Sequence, residues 1–384
     1  MSAVSDAEIA YVRGVPVSAL PPPRLQTGAL GWVRANLVST PLNIVLTIAS
    51  ILLVAWLGPP IVKFLLIDAT WSGADREACL VTAERPHVGA CWPFIQDRLA
   101  YFIYGSYPLA DRWRVDIFFG LLTTGIAWLL WLDAPRRDLA ALYFFVLLPI
   151  ASFLLLSGWP MLGLANVSTS TWGGMLVTLV VASVGIVASI PIGIVLALGR
   201  RSQMPAIRLL SIIFIEFVRG VPLITVLFMA SVMLPLFVPD AWSPDKLLRA
   251  LVGIALFASA YMAEVVRAGL QAIPRGQYEA ATALGLRYWH MMIFIILPQA
   301  LRITLPNIVN TAIGLFKDTT LVFIVGIFDL LRTIEVARID PKWASPVTSP
   351  TGYAFAAIFY FVFCYGMSRY ARSVETRLAR SDRR

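Results

Sequence analysis

Tyr278-Glu279-Ala280-Ala281-Thr282-Ala283-Leu284-Gly285, continued further on by Ile295-Ile296-Leu297-Pro298-Gln299, is the stretch on which the reading of this chain turns. It lies between two long apolar runs, where a short connection needs only turn residues. Here it carries an acid, three alanines and a glycine instead. Ile273-Pro274-Arg275-Gly276-Gln277 leads in with chemistry that stops one helix and permits another. Ala280, Ala281 and Ala283 are strong helix formers with almost no bulk. They predict a short helix that another protein can approach closely. Gly285 follows Glu279 by six positions and is placed to end that helix and turn the chain back.

Composition says what surrounds it. Hydrophobic residues make up 59% of the 384-residue chain and charged residues 14%, too few charges for the shell of a soluble protein this long. The predicted fold is an all-α polytopic membrane protein with about eight spans, each near the ~20 residues needed to cross the hydrocarbon. They fall near residues 41–57, 115–132, 139–158, 172–198, 207–234, 247–270, 291–316 and 353–370. No amino-terminal run looks like a cleavable signal, so the first span is expected to act as an uncleaved anchor. Two histidines and three scattered cysteines leave no zinc or iron–sulfur set, and no metal site is expected.

A net charge of +9 raises the question of nucleic acid, and the placement of the charge answers it. Basic residues gather in alternate loops: Arg13, Arg24 and Arg34; Arg136 and Arg137; Arg200, Arg201 and Arg208; Arg267, Arg275 and Arg287; and a tail from Arg369 to Arg384. With eight spans and a cytoplasmic amino terminus, all of them land on the cytoplasmic side. That is the positive-inside distribution, so the charge orients the protein in lipid, both termini inside, and needs no polyanion. Trp56, Trp113, Trp159, Trp172 and Trp289 sit near span ends, as an interfacial aromatic belt requires.

Four segments follow. Residues 1–39, with Pro16 and Pro21-Pro22-Pro23, read as a flexible cytoplasmic arm. Residues 40–167 hold three spans and an extracytoplasmic loop at 68–112. Residues 168–370 hold five spans, and 371–384 form a basic cytoplasmic tail. Cys79 and Cys91 fall in the external loop, in a compartment where a disulfide between them would persist. Two separate thiols are the other reading. Cys364, within the last span, reads as a small packing residue.

The run at 273–298 resembles the EAA loop of membrane subunits of ABC importers, in which a coupling helix docks into a separate ATPase. The resemblance extends over most of 168–370, to the transmembrane subunits of polar amino-acid importers. It is carried by Glu216-Phe217-Val218-Arg219-Gly220-Val221-Pro222-Leu223, by Ala260 to Leu270 and by Leu315-Phe316-Lys317-Asp318-Thr319-Thr320-Leu321. The three additional amino-terminal spans look more like the longer subunits of general L-amino-acid importers. The resemblance implies a type I importer core of five helices preceded by three extra helices. It implies ATPase coupling through Glu279, Ala280, Ala281 and Gly285. It further implies a homologous permease partner, two ATPase subunits that hold ATP and Mg, an extracytoplasmic amino-acid-binding protein, and a bacterial inner-membrane location.

Ionisable side chains within spans each call for a reason, because one at the bilayer centre costs roughly 2.5–3.5 kcal/mol. Lys317 and Asp318 can pair with each other, with Asp318 or Thr319 capping a short following helix. Alternatively Lys317, Asp318, Thr319 and Thr320 bind the carboxylate and ammonium of an L-amino acid from a broken helix. Arg219 is expected to pair with Glu216 one turn earlier or to face a cavity. Glu264 and Arg267 are expected to form an intrahelical pair or to line the inner gate, with Tyr261 packing nearby. No phosphate loop, nucleophile elbow or paired-histidine site occurs, so the chain is not expected to be an enzyme. The competing class is an ion-coupled secondary carrier with Lys317-Asp318 as its coupling site; such a carrier has no use for an ATPase dock.

Overall fold

The computed structural model describes residues 28–83, 85–131, 134–239 and 244–381. Most of the expected arm, including Arg13 and Arg24, and the last residues of the tail lie outside the described residues. Met1–Ile67 and Asp68–Arg384 form two separate compact units.

In the first unit, α1 (Gly28–Asn36) precedes α2 (Pro41–Ile67). Thr40 caps α2 by accepting from Asn43 N, and Pro41 takes a first-turn position that needs no N–H. The span runs ten residues beyond the expected end at Leu57. Pro59 and Pro60 remove two ladder hydrogen bonds, yet the helix recovers as a π turn over Lys63–Ile67.

In the second unit, the expected external loop contains a helix of its own, α3 (Trp92–Tyr104). Cys79 and Cys91 are joined in a disulfide, with Cα atoms 5.7 Å apart, just before it. Proline in the first turn starts α3, and Phe94, Ile95 and Phe102 give it a buried face. That face packs on Leu330, Ile334, Trp343 and Ala356, which come from the far end of the sequence. Around this apolar patch, Asp97 accepts from Lys342 Nζ at 2.8 Å and from the Trp343 indole at 2.7 Å, and Arg98 pairs with Asp340. The Lys342 hydrogen bond, helped by the indole, holds the Asp97 carboxyl below its ordinary range. The segment expected as an external loop is therefore part of the folded body.

Helices α4 (Leu109–Leu130), α5 (Asp138–Ser157) and α6 (Gly174–Arg200) are span-length. The next expected span is broken: α7 (Pro205–Gly220) and α8 (Leu223–Phe237) meet at 105°. Gly220, Val221 and Pro222 produce the break that their residue types foretold. After it come α9 (Lys246–Ala272), the short α10 (Arg275–Ala283), α11 (Tyr288–Val325), the short α12 (Leu330–Ala337) and α13 (Thr348–Ser381). The last helix runs well past Tyr370, so the basic tail begins as its continuation. Among the described residues, seven helices are long and apolar enough to cross a membrane, and eight if the bent pair is counted as one span.

The centre of the second unit is the crossing of α6 over α9. A Cβ at Gly193 would stand 2.8 Å from Met262 Cβ and 3.0 Å from Ala263 N, so only glycine allows this approach. In lipid, such close packing of small residues replaces the hydrophobic drive that water supplies. Val181, Ile254 and Ala260 continue one buried cluster, and Met262, Ala263 and Val266 another towards the arginine-rich end.

At the opposite end, Asp329 is fully buried and caps α12 through Leu331 N and Arg332 N, both at 3.1 Å. Burial raises its carboxyl to about 6 against the lowering effect of those two N–H groups. Between about pH 4 and 6 the folded chain then holds a proton that the unfolded chain has released. This contribution is complete below about pH 4 and is lost as pH rises through about 6, a change of up to about 3 kcal/mol. Unfolding measured across this window should show that slope, and Asp329→Asn, which keeps a capping oxygen, should flatten it.

Candidate functional site: the coupling helix and the charges within the membrane

Proline precedes α10 and frees its first turn from the end of α9, while Gly285 closes it. Gly285 has φ +73°, a left-handed conformation that a β-carbon would strain. Its N–H bonds Thr282 O at 2.9 Å and that of Leu286 bonds Ala281 O at 3.2 Å, the paired pattern of a Schellman end. The helix is tied down on one side. Tyr278 Oη donates to Leu270 O at 3.1 Å, and Arg201 Nη1 bonds both that carbonyl and the Tyr278 hydroxyl at 3.1 Å. Gln299 reaches Gln277 at 3.3 Å from the returning helix.

This anchoring divides the expected coupling residues. Glu279 and Ala280 are exposed, as are Gly276 and Ala283, so residues three and four apart form one outward stripe. Leu284 adds an apolar side chain that is 77% exposed. Ala281 is not on that stripe: it is 1% exposed, on a helix that packs against Tyr288–Ile296. Its small size serves packing within this chain, which corrects the expectation that it meets a partner. Beside the stripe lies a groove of about 440 Å³ bordered by Arg201, Arg275, Tyr278 and Glu279.

Behind α10, α6, α7 and α9 bring five charged side chains together. Glu264 accepts from Arg267 Nη2 at 2.7 Å and from Arg200 Nη1 at 3.0 Å, and Arg219 Nη1 stands 3.8 Å away. The same Arg200 nitrogen bonds Glu216 at 2.8 Å. The expected Glu264–Arg267 pair is present. The expected Arg219–Glu216 pair is not: Arg219 faces Glu264 and lies 5.6 Å from the centre of the Tyr261 ring, and Glu216 is held by Arg200. Tyr261 in turn packs on Phe257, with ring centres 5.0 Å apart. Arg200 drew notice in the sequence only as an orienting charge, and no local spacing marks it as the centre of this cluster.

Lys317 and Asp318 do not sit in a broken helix. The backbone stays helical through both and tightens to a 3₁₀ turn at Thr319–Val325. Neither Asp318 nor Thr319 caps that turn, because no N–H is freed there. Nor do Lys317 and Asp318 pair with each other, since adjacent residues on a helix point apart. Lys317 is exposed and Asp318 half-buried, and among the described residues neither forms an ion pair. Thr319 is buried and donates to Phe316 O at 2.7 Å; Thr320 donates to Lys317 O at 2.9 Å. Thr319 is thus turned into the protein, away from any ligand that approaches Lys317. No group of three or more potential metal ligands occurs among the described residues.

The second unit is thus a helical body with a short helix, α10, tethered between two span-length helices and exposed along one stripe. Residues 189–380 match the family described as the binding-protein-dependent transport system inner membrane component. The chain is 49% identical to the inner membrane amino-acid ABC transporter permease protein YhdY of Escherichia coli strain K12, over 91% of this chain and 93% of that one. It is 38% identical to the glutamate/glutamine/aspartate/asparagine transport system permease protein BztC of Rhodobacter capsulatus, over 98% and 100% of the two chains. A solved amino acid ABC transporter with histidines aligns at 29% identity and TM-score 0.46, over 53% of this chain and 92% of that one. The chain belongs to the binding-protein-dependent transport system inner membrane component family. It is a multi-pass permease subunit of an ABC importer, and the carrier reading is not favoured.

Proposed function

We propose that this chain lines the path of an importer for L-amino acids, and that α10 is the element through which ATP hydrolysis reaches it. The observation that carries the coupling is the two-sided character of α10, anchored through Tyr278 and Ala281 and free along Gly276, Glu279, Ala280 and Ala283. The amino-acid substrate is supported by the names of its relatives, YhdY and BztC. Two separate ATPase subunits bind ATP and Mg, a homologous permease completes the membrane pair, and an extracytoplasmic binding protein delivers the substrate. Both termini are cytoplasmic, in keeping with the arginine clusters. The body at 168–370 acts as the permease core and the front part as an addition to it.

ATP-driven closure of the ATPases moves α10 and, through Tyr278 and Arg201, the ends of α6 and α9. The Glu264 cluster joins those two helices to α7 near the same ends, where it acts as an inner gate. Lys317 and Asp318 offer opposite charges to the substrate carboxylate and ammonium, with Thr320 beside them. In the complete complex, Asp318→Asn should reduce amino-acid uptake about tenfold or more while assembly and basal ATP hydrolysis persist, because a charge-assisted bond is roughly twice as strong as a neutral one. Normal uptake by both Lys317→Met and Asp318→Asn would place the substrate contacts elsewhere, leaving the importer reading intact.

A further inference from the structure

Between the added helices and the permease body lies a cavity of about 250 Å³. Its walls come from α4, α5, α6 and the start of α9, and Phe118, Leu156, Val184 and Leu251 typify an almost wholly apolar lining. Three polar atoms of that lining lack a partner. The Trp172 indole N–H and the hydroxyls of Ser152 and Ser157 border the cavity, are buried, and find no hydrogen-bond partner among the described residues. Trp172 is 6% exposed, and an indole N–H can only donate. A buried donor left unmade is costly, so its neighbour in the working protein must be an acceptor. Phe153 and Leu248 line the same cavity yet are largely exposed, which leaves it open sideways, where a span faces lipid. Asp245 stands at the end of α9, on the same border as Ser157 and Trp172.

We infer that this cavity holds one acyl chain of a phospholipid, whose ester carbonyl accepts from Trp172 Nε1 while the hydrocarbon fills the space between α5, α6 and α9. An amino acid does not fit the lining, because Asp245 is its single charged residue and nothing there answers a carboxylate. A plain hydrocarbon fits the walls but leaves the indole and both hydroxyls unpaired. A fatty-acyl ester fits the walls and brings an acceptor to the indole. Trp172 and Ser157 lie at the ends of their helices remote from the arginine clusters, so on the orientation proposed above the lipid comes from the outer leaflet. The cavity itself does not depend on that orientation. The bound chain joins the added helices to the permease body.

The test is photolabelling of the full chain in nanodiscs of phosphatidylethanolamine and phosphatidylglycerol, using a phosphatidylethanolamine with a diazirine in its acyl chain. Label should map to 148–157 and 247–251. Val184→Trp, which fills the cavity, should abolish that label while thermal unfolding shows the chain still folded. Trp172→Phe keeps an aromatic ring and removes the N–H, and should weaken labelling about fivefold, the worth of one neutral hydrogen bond. Label at these segments that survives Val184→Trp would overturn the site. Equal labelling of wild type and Trp172→Phe, or a diazirine alkane that competes as well as the phospholipid, would overturn the role of the ester. Preferential labelling by a diazirine fatty acid would overturn the phospholipid source, and a cavity that takes up water alone would overturn the proposal whole.

Discussion

Glu264→Ala is expected to inactivate the importer and to destabilise this subunit together. Glu264 is the acidic group that Arg200, Arg219 and Arg267 all face, and its side chain is 16% exposed. Removing one partner of a buried pair costs about 3–5 kcal/mol, since the remaining charges stay poorly solvated. Residual solvent contact puts the expectation at the lower end. Glu216→Ala is the matched control. Its side chain is 55% exposed and forms its ion pair with Arg200, so about 1 kcal/mol or less is at stake. Thermal unfolding of the complete transporter, read beside uptake, should separate the two variants clearly. Similar small effects in both would show that Glu264 is not the centre of the cluster.

Glu279→Lys should act without unfolding anything. Glu279 is exposed on α10, so reversing its charge spares the packing of this chain and changes only what a docking protein meets. ATP hydrolysis in the assembled complex should lose its stimulation by the substrate-loaded binding protein, and uptake should fall with it. Ala281→Trp should fail differently. A bulky side chain at a site 1% exposed overpacks the contact between α10 and the return helix, at about 1–3 kcal/mol, and lowers the stability of the isolated subunit. Two neighbouring residues of one motif thus separate docking from folding.

The contrast between these residues also marks how far the sequence could be read. Span number and the break at Gly220–Pro222 were legible, because twenty-residue apolar runs and helix-breaking residues are local signals. The short helix α10 was legible for the same reason, down to its end at the left-handed Gly285. Which alanine faced inward was not, since Ala280 and Ala281 are chemically identical and only the return of Tyr288–Ile296 distinguishes them. The Glu264 cluster joins Arg200, Glu216, Arg219 and Arg267 across three helices, and residues 64 apart in sequence carry no spacing signal. Glu216–Arg219 had the right spacing for a pair and lost to the nearer Arg200. The helix at Trp92–Tyr104 was overlooked because it is too short to span a membrane and its apolar face is matched by residues some 240 positions away.

Site-specific photocrosslinking along α10, in membranes that contain the whole transporter, tests the central claim most directly. A photoreactive residue placed in turn at Glu279, Ala280, Ala283 and Leu284 should crosslink to an ATP-binding-cassette subunit, and one at Thr376, on the distal part of α13, should not. Failure of all four α10 positions to reach an ATPase, in a complex that still transports, would contradict the account.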